Sequence, residues 1–314
     1  MTNSVTPRNL LFFVLPLGLA LLQACGGSSN DSIEANPSPV PTSVPSSPSL
    51  EPTPTHAAPS SEPTSEPLPP TADATQPLDC GEPSGAVTQN SLDDAAKSYI
   101  LCKHNQTRSQ LALGEFSGLN SLFPIATNMK RLQWDKKLEA VAQSWASQCQ
   151  WEHNPNRTEQ YNTLSPTDIN GLPASEVIPT GENLAYTAAT NLSAANFQYV
   201  LQGYNAWENE GRAYSYGAFM VTDFCDVDAC GHFTQLIWAS SYKVACAVSY
   251  CPANTITTYP ASYFVCNYAS AGNYLNQTPY QSGDHLQEVC STADTKQTAC
   301  RNGLTESGNY ATGL

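Results

Sequence analysis

The 314-residue chain carries little charge: only 13% of its residues are Asp, Glu, Lys or Arg. Basic residues are the scarcer sign, 13 against 27 acidic ones, for a formal net charge of −14. No basic stripe occurs anywhere, so nucleic-acid binding has no electrostatic footing. Solubility falls to Ser, Thr, Asn, Gln and Tyr, as often happens outside the cytoplasm. Long apolar runs are missing too. The apolar stretch at residues 10–22 has the length of a signal-peptide core and is too short for a spanning helix. Gly-x-Ser-x-Gly and His-Glu-x-x-His are absent, and no short-spaced Cys/His set marks a closed structural zinc site. No nucleophile stands out.

What is present is unevenly spread. Thirteen of the 24 prolines lie between Pro37 and Pro77. Such a segment has too little apolar content to offset its ordering entropy, and its prolines favour extended, solvated backbone. Residues 25–79 therefore read as a disordered stalk, able to reach about 160 Å at ~3.1 Å per residue. Residues 1–24 read as its signal peptide, with Arg8 as the sole charge. They lead into Leu22-Gln23-Ala24-Cys25, which resembles the lipobox of bacterial lipoproteins. That resemblance implies an acylated Cys25 as first residue of the mature chain, and Gly26 after it implies outer-membrane sorting. An ordinary secretory signal cut near Ala24 is the alternative. Cysteine parity favours the lipid: of eleven cysteines, setting Cys25 aside leaves ten, all beyond the stalk. An even set in an exported domain reads as five disulfides.

The domain itself is expected over residues 80–280, followed by a tail at 281–314 that holds Cys290 and Cys300. Helical periodicity is clearest at 92–111, 134–151 and 191–210, with Asp93 or Asp94 and Asp135 placed near helix starts. A shorter helix begins near His232. The segments KVACAVSYC (243–251) and ASYFVCNYA (261–269) read as strands joined by a turn-rich link, hence a hairpin. Helices first and strands late argue for an α+β fold with helices packed on an antiparallel sheet.

Six motifs in order then carry a resemblance. KHNQTR (103–108), CQWEHNP (149–155), GENLAY (181–186), WENEGRAYSY (207–216), CGHFTQLIW (230–238) and YFVCNYASAGNYLNQTPY (263–280) closely resemble the CAP superfamily. That group comprises cysteine-rich secretory proteins, antigen 5 and pathogenesis-related 1 proteins. The resemblance implies a disulfide-braced α-β-α sandwich and a cleft where His153, Glu182, Glu210 and His232 meet. Glu210 is preferred to Glu208 because the family's glutamate sits three residues after the tryptophan. The resemblance also implies the pairs Cys149–Cys251, Cys225–Cys230 and Cys246–Cys266. Cys80–Cys102 and Cys290–Cys300 are the local completion, with a cross-pairing of tail to first helix as the rival.

Two imidazoles and two carboxylates suit a divalent cation, Zn²⁺ or Mg²⁺ among others, with His153 and His232 as the expected ligands. The same set also suits a hydrogen-bonded network in which each glutamate orients one histidine. His104 reads as structural, with Asn105 and Arg108 expected to bond backbone and carboxylate partners. His56 and His285 fall in stalk and tail without evident partners. The family resemblance implies a binding module for a lipid or sterol-like ligand, a cell-envelope component or a protein. The alternatives are a metal-dependent hydrolase, with Glu182 or Glu210 as general base and Thr234 or Tyr186 nearby, and an adhesive surface domain.

Overall fold

The computed structural model describes residues 76–88, 90–118, 121–164, 177–220, 230–284 and 300–305. The expected signal peptide, Cys25, nearly all of the stalk, Cys225, Cys290, His56 and His285 lie outside them. Among the described residues no helix is long and apolar enough to cross a membrane.

Two short strands, β1 (Val87–Thr88) and β2 (Ser91–Leu92), lead into helix α1 (Asp94–Ala112). Of the two candidate caps, Asp93 is the one used, accepting the backbone N–H of Ala96 at 2.8 Å. Strands β3 (Ile125–Ala126) and β4 (Gln133–Trp134) precede α2 (Lys136–Ala146). Asp135 caps α2 by accepting from Lys137 and Leu138 at 2.9 and 3.0 Å. The helix stops short of residue 151 because the chain turns out at Cys149, whose φ is 54° and which is tied by a disulfide to Cys251. Closing that loop of 102 residues stabilises the fold by about 4–5 kcal/mol in the chain-entropy picture.

Next come α3 (Arg157–Leu164), β5 (Thr180–Ala188), α4 (Phe197–Asn209), a 3₁₀ turn over Glu210–Arg212, and α5 (Gly231–Leu236). Strands β6 (Lys243–Cys251) and β7 (Ala261–Ala269) have the bounds that the alternation pattern gives them. Finally, β8 (Ser282–Gly283) pairs with β3, and β9 (Cys300–Arg301) with β10 (Leu304–Thr305).

The main sheet has the order β4-β6-β7-β5. Its long pairs are antiparallel, but the two-residue edge strand β4 runs parallel to β6, which departs from an all-antiparallel sheet. Helices cover both faces. Leu184, Ala247, Tyr263 and Val265 pack under α2 through Trp145, while Val244, Val248, Phe264 and Tyr268 pack with residues of α1, α4 and α5. Every residue of β7 is buried for that reason, as a two-sided strand requires. This is the α-β-α sandwich.

Three buried groups in α1 anchor it. His104 is fully buried, with Nδ1 donating to the Ile100 carbonyl at 2.8 Å and Nε2 accepting from the Tyr268 hydroxyl at 3.0 Å. Burial pulls its pKa down to about 4, so the ring is neutral and structural. Its ring nitrogen lies within 4.8 Å of the sulfurs of Cys246 and Cys266, but these are joined at 2.04 Å and offer no thiolate to a metal. Asn105 exchanges two bonds with the backbone of Leu132. Arg108 corrects the expectation of a carboxylate partner. Its guanidinium donates to five backbone carbonyls, those of Lys130, Leu236, Trp238, Ala239 and Ser241, at 2.8–3.3 Å. The physical reason is local: the end of α5 leaves orphan carbonyls, and one planar five-donor group satisfies several at once.

The tail is more than polar filler. Leu304 is fully buried, and the Ser109 hydroxyl of α1 donates to the Asn302 carbonyl at 2.7 Å. The base of the stalk meets the same place, since Leu78 N–H donates to Ser109 Oγ and Asn302 donates to the Gln76 carbonyl. Cys80 and Cys102 are bonded, fixing the stalk base to α1.

Candidate functional site

Strand β5, at the sheet edge, organises the site. Neighbouring residues of a strand point to opposite faces, so Glu182 faces the α2/α3 layer and Asn183 faces α5. His153 lies in the turn between α2 and α3, and its Nδ1 bonds Glu182 Oε1 at 2.9 Å. The same oxygen accepts from Asn154 N–H at 2.9 Å, and Oε2 accepts from Asn267 Nδ2 at 3.2 Å. Asn267 is directly opposite Glu182 on β7.

The second pair forms beside α5. Glu210 opens the 3₁₀ turn after α4, and its Oε1 meets His232 Nδ1 at 2.6 Å. Its Oε2 accepts the backbone N–H groups of His232 and Phe233, both at 3.0 Å, so the carboxylate also caps α5. Trp207 stacks on the His232 ring at 5.8 Å and on Phe264 at 4.9 Å, its own N–H held by the Leu184 carbonyl. Asn183 donates to the His232 carbonyl and to the Tyr268 hydroxyl, tying α5 to β5.

Two glycines permit these approaches. A Cβ on Gly181 would lie 2.2 Å from Gln235 Oε1, and one on Gly211 would lie 2.6 Å from the Phe233 ring. The glycines of GENLAY and WENEGRAY therefore let strand and turn close on α5.

The result is two His–Glu dyads: Glu182 projects from β5 itself, while the His232 backbone is tied to β5 through Asn183. Within each, the carboxylate fixes Nδ1, and Nε2 makes no hydrogen bond among the described residues. The glutamates orient their histidines; their own oxygens are all engaged, and no three of the four residues bring one ligand atom each within 4.8 Å of one another. Each imidazole thus offers its Nε2 as one ligand atom for a metal. Glu208 goes elsewhere, accepting from the Thr107 hydroxyl on α1. Thr234 donates within its own helix or to Asn273, and Tyr186 makes no hydrogen bond to the dyads, so neither is activated by a histidine. A groove of about 530 Å³ runs along α3, lined by residues such as Asn156, Glu159, Asn162 and Val177, and includes none of the four.

Cys149–Cys251 and Cys246–Cys266 are bonded. Cys230 is disulfide-bonded, while Cys225 and the side chain of Cys300 lie outside what the structure describes. The motifs alone did not single out Asn183, Asn267 and Trp207, the side chains that hold each dyad to the sheet. All three sit inside quoted motifs, but nothing in their spacing distinguishes a supporting side chain from a bystander.

The family model "CAP: Cysteine-rich secretory protein family" matches residues 101–268. The chain is 33% identical over 199 residues to GLIPR1-like protein 1 of Bos taurus, covering 63% of this chain and 68% of that protein. It is 30% identical over 205 residues to Cysteine-rich secretory protein 3 of Equus caballus, covering 65% and 68%. Among solved structures it resembles that of NaASP2 with Zn²⁺, at 25% identity and a TM-score of 0.51, over 69% of this chain and 98% of the other.

Proposed function

We propose, from the premise that this chain belongs to the cysteine-rich secretory protein (CAP) family, that it is an exported binding module whose paired dyads hold a divalent cation. The observation that carries this reading is the matched state of His153 and His232: each has Nδ1 fixed on a carboxylate and Nε2 left unbonded. That tautomer presents a lone pair to a metal, and the carboxylate behind it raises ligand basicity. Zn²⁺ suits two imidazoles better than Mg²⁺ does. The similar NaASP2 was solved with Zn²⁺, which accords with that choice.

A binding role is favoured over hydrolysis because each oxygen of Glu182 and Glu210 already accepts a hydrogen bond. A general base needs a carboxylate edge turned to water. The test is a calorimetric titration of the oxidised protein with Zn²⁺, Mg²⁺ and Ca²⁺, beside the His153→Ala/His232→Ala double variant. Zinc binding at micromolar or tighter affinity, absent in the variant, is the expected result. No heat in either protein would remove the cation and leave the dyads as a scaffold.

The anchor is the second part of the proposal. A lipid on Cys25 followed by a proline-rich stalk would hold the domain off the surface of a cell envelope, facing a lipid, an envelope component or a protein. Detergent partitioning reads this directly: Cys25→Ala should move the protein from the detergent to the aqueous phase. Identical partitioning of both forms would sink the anchor.

A further inference from the structure

The turn that carries His153 also presents an aromatic surface. Trp151 is 49% exposed and Tyr186, on β5, is 38% exposed. Their rings meet edge to face at 4.7 Å and 88°, and Tyr263 supports the indole from beneath at 6.0 Å. A perpendicular pair of this kind forms a right-angled corner walled by two π faces.

The corner is rigid, although Trp151 lies in irregular chain. The Cys149–Cys251 bond, the Trp145 N–H on the Glu152 carbonyl, the Tyr263 hydroxyl on the Gln150 carbonyl and Asn154 N–H on Glu182 all pin residues 149–154. The ordering entropy of an exposed aromatic is thus supplied by the fold, which is the condition for a preorganised binding surface. Its charge environment is negative. Burial, and after it the charges of Glu182 and Glu152, raise the pKa of the Tyr263 hydroxyl, and Glu152 directly follows Trp151 in the chain. The chain as a whole carries −14.

We propose that Trp151 and Tyr186 form a site for a quaternary ammonium group, such as that of choline, with Glu152 at its border. The electron-rich faces attract a cation, and a trimethylammonium is weakly hydrated enough to enter a corner without hydrogen-bond donors of its own. A primary ammonium, being more strongly hydrated, would give up more water to enter it. The site rests on the reading of the domain as a binding module, and it does not depend on a cation at the dyads.

Titration of the whole protein with choline or tetramethylammonium, followed by NMR of the Trp151 indole, tests it. Choline should shift that signal, and its neutral isostere 3,3-dimethyl-1-butanol should bind about tenfold more weakly. Trp151→Ala should abolish choline binding and Tyr186→Ala should weaken it, while the zinc titration of both variants stays as in the parent. Equal binding of the neutral isostere would make the corner merely apolar and overturn the proposal. So would undiminished choline binding by Trp151→Ala, or no indole shift at all. Loss of zinc binding in the histidine double variant, with choline binding kept, separates this site from the dyads.

Discussion

Replacing Asp135 by alanine is expected to destabilise the domain by about 4 kcal/mol, since one carboxylate serves two buried purposes. It caps α2, and its Oδ2 lies 3.1 Å from Nζ of Lys243 at the start of β6. Lys243 is 4% exposed, and its other contacts are the Tyr161 hydroxyl at 3.2 Å and the rings of Tyr161 and Tyr242. None of these neutralises an ammonium. Removing one partner of a buried pair costs about 3–5 kcal/mol because the other charge is stranded, and a lost cap adds about 1. Asp135→Asn keeps a capping oxygen and should lose about 3 kcal/mol. The double variant Asp135→Asn/Lys243→Met should recover at least half of that loss, because no charge is then left buried. Urea unfolding midpoints of the four proteins decide it. A loss below about 1 kcal/mol in Asp135→Ala would show that water reaches Lys243 and that the pair is not dry.

The second large effect is expected at Arg108. Substitution by methionine keeps the stem but strands five buried carbonyls, which lie on the chain before β4, at the end of α5 and in the turn after it. An unsatisfied buried group costs about 1–3 kcal/mol, and partial relaxation brings the sum to roughly 5 kcal/mol. For a domain of this size that is a fall in melting temperature of about 10–15 °C. Burial pulls the guanidinium pKa down to about 9, which leaves it charged at neutral pH and its bonds charge-assisted. Arg108→Lys should fall between parent and methionine variant, because an ammonium has three donors in no fork. Differential scanning calorimetry checks the series. A lysine variant as stable as the parent would mean that charge alone matters and the fork geometry does not.

The residues settled a good deal by themselves. Alternation bounded β6 and β7 because both strands are long and rich in β-branched or aromatic residues. Aspartates before apolar periodic runs marked the starts of α1 and α2, since a cap acts on the next three residues and needs no distant partner. The ordered motifs pointed to the family, to its sandwich and to four residues that the fold joins as the pairs His153–Glu182 and His232–Glu210. Strand β5 was not legible. Glu182 and Asn183 look wrong for a buried strand, and they are tolerated because His153, Asn154 and Asn267 satisfy one while α5 and Tyr268 satisfy the other. Helix α3 was missed as well, since Tyr161 is its only buried residue and no apolar face repeats.

Arg108 shows where local reading stops. Its five acceptors lie 22 to 133 residues away along the chain, and a donor's partners at that range are settled only when helix, turn and strand come together. The same holds for the choice between Glu208 and Glu210. Two glutamates two residues apart are chemically alike, and a helix sends them to different sides: one to Thr107 on α1, the other to His232 on α5. The kinds of group and their local spacing were determined by sequence alone, because short-range sterics and hydrogen bonding control them. Tertiary packing decided which carboxylate meets which imidazole, because that depends on the rotation of α4 against α1 and α5.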